Sequence, residues 1–146
     1  MSLAATLESD GYVGASIEFL LTGHPQICGT LDGQPVRLLL DTGAGSTVVD
    51  LDYAKSRGLK LQASDLKGGG AGAAVISVSE LPQSQLSVGS VWLKDLRILA
   101  LDFANIRGAL AAKGVAAPEV ILGADVLRPR SAVIDYGAKM LWLKSS

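Results

Sequence analysis

The residues best suited to chemistry stand in "LLLDTGAGST", Leu38–Thr47, where an aspartate directly follows three leucines. A carboxylate at the end of so apolar a run is costly unless it is paired or hydrogen-bonded, which makes Asp41 a candidate for acid–base work. Thr42 and Gly43 give it a hydroxyl neighbour and a turn, and Thr47 adds a second hydroxyl before apolar character resumes at Val48 and Val49. A turn-capping aspartate is the plain alternative, since three residues alone are a weak pattern. A later apolar run also ends in glycine, Val120-Ile121-Leu122-Gly123, and the Asp125 that follows reads as a helix-start residue. Gly68, Gly69, Gly70, Ala71 and Gly72 form a third feature, which lacks the following helix and downstream acid of a dinucleotide fingerprint. "GAGST" likewise lacks the lysine of a phosphate-binding loop. With one histidine, His24, and one cysteine, Cys28, a His-rich or Cys-cluster metal site and an internal disulfide are excluded. Ser46, Ser77 and Ser79 would have only His24 to activate them. No metal and no organic cofactor is expected.

A lone carboxylate is a poor catalyst, but two of them make a complete one. At about 4 Å separation and an effective dielectric near 20 they repel by roughly 4 kcal/mol, about three pK units, so one keeps a proton. The pair then offers a base and an acid from identical residues, and the proton belongs to both. Only Asp41 lies in a D-[ST]-G pattern: Asp10-Gly11 and Asp32-Gly33 lack the middle residue, and Asp135-Tyr136-Gly137 carries a ring there and reads as a hairpin turn. A chemistry that needs such a pair would find half a site in one chain, and a two-fold axis would supply the other half.

The elements that must position these residues are mostly strands. Tyr12–Leu21 and Gln26–Leu31 are apolar stretches, and Asp32-Gly33 is a strong hairpin signal that delivers an antiparallel pair to Asp41. Asp50 can cap a short helix that Gly58 ends. An alternating strand, Val75–Val78, follows the glycine cluster, so the two form a flexible hairpin. A hairpin at Gly89-Ser90 leads into a largely buried arm holding Trp92, Leu93, Leu96, Ile98 and Leu99. Residues 103–114 are the best helical segment, closed by Gly114. The chain ends in two short strands, and no crossover helices or repeats interrupt the sheet. These patterns predict a mainly β fold.

At "LLLDTGAGST" and "VILGADVL", in this order and with a glycine-rich hairpin between them, the sequence resembles the retropepsin-like aspartic proteases, the single-domain family that includes the retroviral proteases. The resemblance runs from about Val36 to Leu143. It implies a closed acid-protease-type barrel of antiparallel strands with a flap hairpin and one or two short helices. It implies that Asp41 is the catalytic carboxylate, with Thr42, Gly43, Ala44 and Thr47 supporting the active-site loop and Thr42 reaching across the dimer axis. Val120, Ile121, Leu122 and Gly123 would cover the dyad, and Gly68, Gly69, Gly70, Ala71 and Gly72 would form the flap. Two departures stand out. Where retroviral members commonly carry an acid and an arginine to anchor substrate, this chain has Gly45 and Ala124, and it is longer around Phe103–Pro118.

The 146 residues, 49% hydrophobic, suffice for one domain over 1–146, with residues 1–11 read as a flexible or vector-derived end. A net charge of −1 with scattered basic residues argues against nucleic acid. The apolar runs are too short to span a bilayer, and no targeting signal is legible, so the compartment is open. The expected function is an aspartic endopeptidase acting on protein or peptide substrate as a homodimer, with Thr42 and the terminal strand Met140–Leu143 at the interface. A non-proteolytic peptide-binding or dimerisation module of the same fold is the alternative.

Overall fold

Two positive-φ residues set up the approach to Asp41. Asp32 at φ 50° and Gly33 at φ 81° form the two-residue turn whose twist matches that of the flanking strands. They pair Gln26 with Leu39 and Leu31 with Gln34 along the hairpin.

The computed structural model describes residues 1–68 and 76–145. In chain order its elements are α1 (Leu3–Ser9), β1 (Tyr12–Ser16), β2 (Glu18–Phe19), β3 (Pro25–Leu31), β4 (Gln34–Leu40), β5 (Val48–Asp50), α2 (Leu51–Ser56) and β6 (Gln62–Gly68). There follow β7 (Ile76–Glu80), β8 (Leu86–Val88), β9 (Val91–Trp92), β10 (Leu99–Leu101), α3 (Ala104–Ala111), β11 (Val120–Leu122), α4 (Ala124–Leu127), β12 (Val133–Asp135) and β13 (Met140–Lys144). The protein is thus mainly β with a few short helices. None of the described helices is long and apolar enough to cross a membrane.

The strands form a 10-stranded sheet in the order β6-β7-β10-β5-β11-β4-β3-β8-β9, with β2 on β3, and a 3-stranded sheet in the order β1-β13-β12. Neither path closes on itself, so the expected closed barrel gives way to an open arrangement. The terminal strands, which could have joined the ends of the large sheet, pair with each other instead. Nor is the sheet wholly antiparallel: β4 and β11 run parallel, as do β5 and β10. Strands so far apart in sequence have chain enough for the crossover that parallel pairing needs. An ion pair pins the first parallel register: Arg37, on β4, reaches Glu119, just before β11, at 2.7 Å, and its own N–H donates to the same carboxylate at 2.9 Å. That carboxylate raises the Arg37 guanidinium above its ordinary value, chiefly through the hydrogen bond.

Alternation divides the central strands between two apolar clusters. Leu38, Leu40, Val49, Val120 and Leu122 enter the main core, whereas Leu39 and Ile121 turn to the opposite face. Residues 3–9 form α1, capped by the Ser2 hydroxyl. Two local expectations are corrected. The arm from Trp92 to Leu99 is not one strand: Asp95, at φ 58°, breaks it into β9 and β10 and leaves Trp92 exposed. The terminal strand β13 cannot pair with a symmetry mate, because β1 and β12 already flank it.

Candidate active site

The Asp41 loop exists because β4 and β5 are not neighbours. Both flank β11, so residues 41–47 must cross over the end of that strand, where Gly123 follows Leu122. The crossing is tight. A Cβ on Gly123 would stand 2.8 Å from both the Ala44 and Ser46 carbonyl oxygens, closer than side-chain carbons approach backbone. Gly123 has φ −111°, a conformation open to any residue, so the demand here is for space and not for backbone freedom.

Hydrogen bonds fix the loop at its start, middle and end. The Asp41 N–H donates to the Leu122 carbonyl at 3.0 Å, and Ala124 N–H donates to the Ala44 carbonyl at 2.7 Å. Thr47, fully buried, is the hub of the end. Its hydroxyl donates to Asp125 Oδ1 at 2.7 Å and accepts from Gly123 N–H at 3.0 Å, while its own N–H donates to Asp125 Oδ2 at 2.9 Å. Bonds to an ionised acceptor contribute about 1.5–3 kcal/mol, so this carboxylate is a principal clamp. Asp125 does lie in the first turn of α4. Its bond to Thr47 was not legible, because nothing in sequence spacing relates positions 47 and 125.

Held this way, Asp41 is partly buried, and one of its oxygens, Oδ1, accepts from Gly43 N–H at 3.0 Å. Thr42 is exposed, and among the described residues its hydroxyl makes no hydrogen bond. It borders a groove whose other walls include Ala124, Arg128, Ala132 and Ile134. On β11, Val120 and Leu122 are fully buried in the main core, and Ile121 alone faces the second cluster with Ala44 packed against it. Strands β6 and β7 form a hairpin paired as far as Gly68 opposite Ile76. The remaining flap residues, Gly69, Gly70, Ala71 and Gly72, lie outside the described residues.

Besides Asp125, six of the other aspartates are occupied elsewhere. Asp32 and Asp135 accept turn N–H groups from Gln85 and Ala138, and Asp10 faces Lys144. Asp50, Asp52 and Asp102 converge on Arg107, at 2.6, 3.1 and 3.2 Å. This cluster carries no sequence signal beyond the helix cap expected at Asp50. It raises the Arg107 guanidinium above its ordinary value, mainly through the hydrogen bond to Asp50.

A strand-borne Asp-Thr-Gly loop crossing a third strand, with its hydroxyl hub behind it, defines a protein of the aspartic-protease class. The aspartyl protease family profile matches residues 27–126, which takes in both the loop and β11. The chain belongs to that family. No curated protein matches it in sequence. Among solved structures, a retropepsin-like aspartic protease from Rickettsia conorii superposes with a TM-score of 0.57 at 17% identity, over 91% of this chain and 89% of that one. The EIAV protease complexed with the inhibitor HBY-793 gives 0.57 at 21%, over 81% and 98%. The retroviral protease-like domain of Ddi1 from Leishmania major gives 0.52 at 13%, over 83% and 88%. At such identities the likeness is one of fold.

Proposed function

We infer that the protein is an aspartic endopeptidase whose dyad is Asp41 and the Asp41 of a second copy. One observation carries the reading: Asp41 is held on a clamped loop beside an exposed Thr42 hydroxyl that has no hydrogen bond among the described residues, while seven other aspartates are engaged in turns, caps and ion pairs. In the dimer the two Thr42 hydroxyls would find their partners across the axis. The open edge of β12, next to the Thr42 groove through Ala132 and Ile134, replaces β13 as the backbone edge available for pairing between copies.

The pair holds one proton. The ionised carboxylate takes a proton from a water whose oxygen attacks the peptide carbonyl carbon, and the protonated partner donates to the carbonyl oxygen. Collapse of the tetrahedral intermediate breaks the carbon–nitrogen bond, and a proton passes to the departing amine. An extended peptide would lie between the β6–β7 hairpin and the Asp41 loop, held largely by backbone hydrogen bonds.

The test is cleavage of a peptide library with and without Asp41→Asn. Cleavage should vanish in the variant while fold and dimer persist. Wild-type activity per chain should fall on dilution, and a ninefold excess of Asp41→Asn chains should lower it about tenfold, because each active pair needs two intact copies. An active monomer, or turnover in purified Asp41→Asn, would refute the reading. Gly45 and Ala124, which bring no charge to hold a substrate backbone, favour the peptide-binding alternative. Peptide binding without Asp41-dependent cleavage would establish it.

A further inference from the structure

The face of the central sheet that leads to Asp41 is covered from within the chain. Leu39 precedes Asp41 by two residues, the same-face spacing of a strand, and it is the register partner of Ile121, which in turn partners Val48 on β5. Leu39 and Ile121 form a cluster apart from the main core, and Ala44 of the Asp41 loop packs against it. The side chain that completes this cluster is Phe103, wholly buried, with Leu101 and Ile106 alongside. Phe103, Ile106 and Arg107 share one side of α3 and its lead-in, three and four residues apart.

A polar latch holds that side down. Asp50, itself buried, accepts from Phe103 N–H at 3.3 Å through one oxygen and from Arg107 at 2.6 Å through the other. Arg107 also reaches Asp52 and Asp102. Lifting α3 would therefore expose a phenyl ring and leave a buried carboxylate unpaired, both unfavourable. Phe103 and the start of α3 are thus held against the cluster on which Ala44 of the Asp41 loop packs.

We propose that Phe103, assisted by Ile106, fills the apolar space next to Asp41 in which a substrate side chain flanking the scissile bond would otherwise lodge, so that the protein selects small side chains there. The inference rests on the endopeptidase reading above. Leu39, Val48 and Ile121 are the surface that a large apolar substrate group would bury, and the phenyl ring already occupies it. Removing the ring opens apolar space of a kind that takes up apolar groups.

The test compares wild type, Phe103→Ala and Ile106→Ala on matched peptides with Ala, Leu or Phe on either side of the scissile bond. The readout is the ratio of kcat/KM values within each variant, which does not depend on the fraction of protein that is folded or dimeric. Wild type should prefer Ala. Discrimination by a single methylene already reaches about 10- to 200-fold, so the Phe-to-Ala preference ratio should rise at least about tenfold in Phe103→Ala, and by a smaller factor in Ile106→Ala. If Phe103→Ala does not fold, the ratio in Ile106→Ala, at a half-buried position, decides. Unchanged ratios, or a wild-type preference for large groups, would overturn the proposal while leaving Asp41-dependent cleavage intact. A wild type that cleaves nothing would instead defeat the endopeptidase reading, and this inference with it.

Discussion

Gly123→Ala is the smallest change that should disable the site without touching a charged group. The new Cβ would meet two backbone oxygens at 2.8 Å and a backbone carbon at 2.9 Å, none of which can rotate away. To restore ordinary contact the Asp41 loop must retreat by about half an ångström, which also strains the Ala124-to-Ala44 hydrogen bond at the same crossing. Over-packing of this kind costs about 1–3 kcal/mol. At 2 kcal/mol the melting temperature should fall by roughly 4–8 °C, leaving the fold intact. The effect on rate should be larger in proportion. In the proposed dimer both copies carry the substitution, so the two carboxylates would shift relative to each other by about 1 Å, and misplacement of that size costs roughly 100-fold in rate. Steady-state kinetics beside thermal melts would separate the two effects: kcat should collapse in a protein that remains folded at the assay temperature. A Gly123→Ala variant with wild-type kcat, melting within about 1 °C of wild type, would refute the argument that the loop is seated on this glycine.

Asp125→Ala removes the acceptor of two bonds from a buried threonine, and urea denaturation should show a loss of about 2–3 kcal/mol, with Asp125→Asn losing less because its amide oxygen still accepts. Thr47→Val keeps the shape but strips the hub hydroxyl from Gly123 N–H and Asp125; a loss of about 2 kcal/mol is expected, and none would mean that the clamp contributes only orientation. Arg107 is held above its ordinary value, so the stability it contributes is fully present below the unfolded guanidinium value and is lost only as pH rises through the still higher folded one. The destabilisation caused by Arg107→Gln should therefore be the same at about pH 6 and about pH 9, and a loss that shrank at the higher pH would show that the pairing does not depend on the guanidinium charge. Cleavage itself should follow a bell-shaped profile on the acidic to near-neutral side, since only the singly protonated pair is competent; a rate still climbing at about pH 9 would point to other chemistry.

What could be read from the sequence was local. The Asp32-Gly33 turn, the Asp50 cap, the glycine ends at Gly58 and Gly114, and the strand at Val120–Leu122 each depend on a few adjacent residues, and each is found where expected. What could not be read was which strands become neighbours. β11 sits between β4 and β5, parallel to one and antiparallel to the other, and no periodicity encodes an insertion from so far along the chain. The same gap hid the roles of Asp125 and Arg107, whose partners are remote in sequence, and let β13 pass for an open edge when β1 and β12 enclose it.

The replacement of a charged pair by Gly45 and Ala124 gains a physical meaning once the loop is seen from behind. Neither position now contributes a side-chain charge, yet the loop is not left loose. Ala124 offers its backbone N–H to Ala44 instead, and one residue further on the Asp125 carboxylate takes both polar groups of Thr47. These hydrogen bonds hold the loop from its buried side, where a hydrogen bond is screened less and a missing partner costs more. The loop can therefore stay rigid without a charge at position 45 or 124, and the charged groups of the groove beside Gly45 are Arg128 and the Thr47-bound Asp125. Such a site would grip substrate through backbone and shape more than through charge, which suits the proposed filling of the neighbouring apolar space by Phe103. Replacing Gly45 with Asp tests the point, because it adds a carboxylate that substrate would face in a groove where Arg128 is the one basic side chain among the lining residues. If charge is not part of the grip, the substitution should leave KM for uncharged peptides within about threefold of wild type and raise it for acidic ones by more, a like-charge penalty that salt should relieve. A large fall in KM for neutral peptides would mean that the missing acid had been a needed anchor.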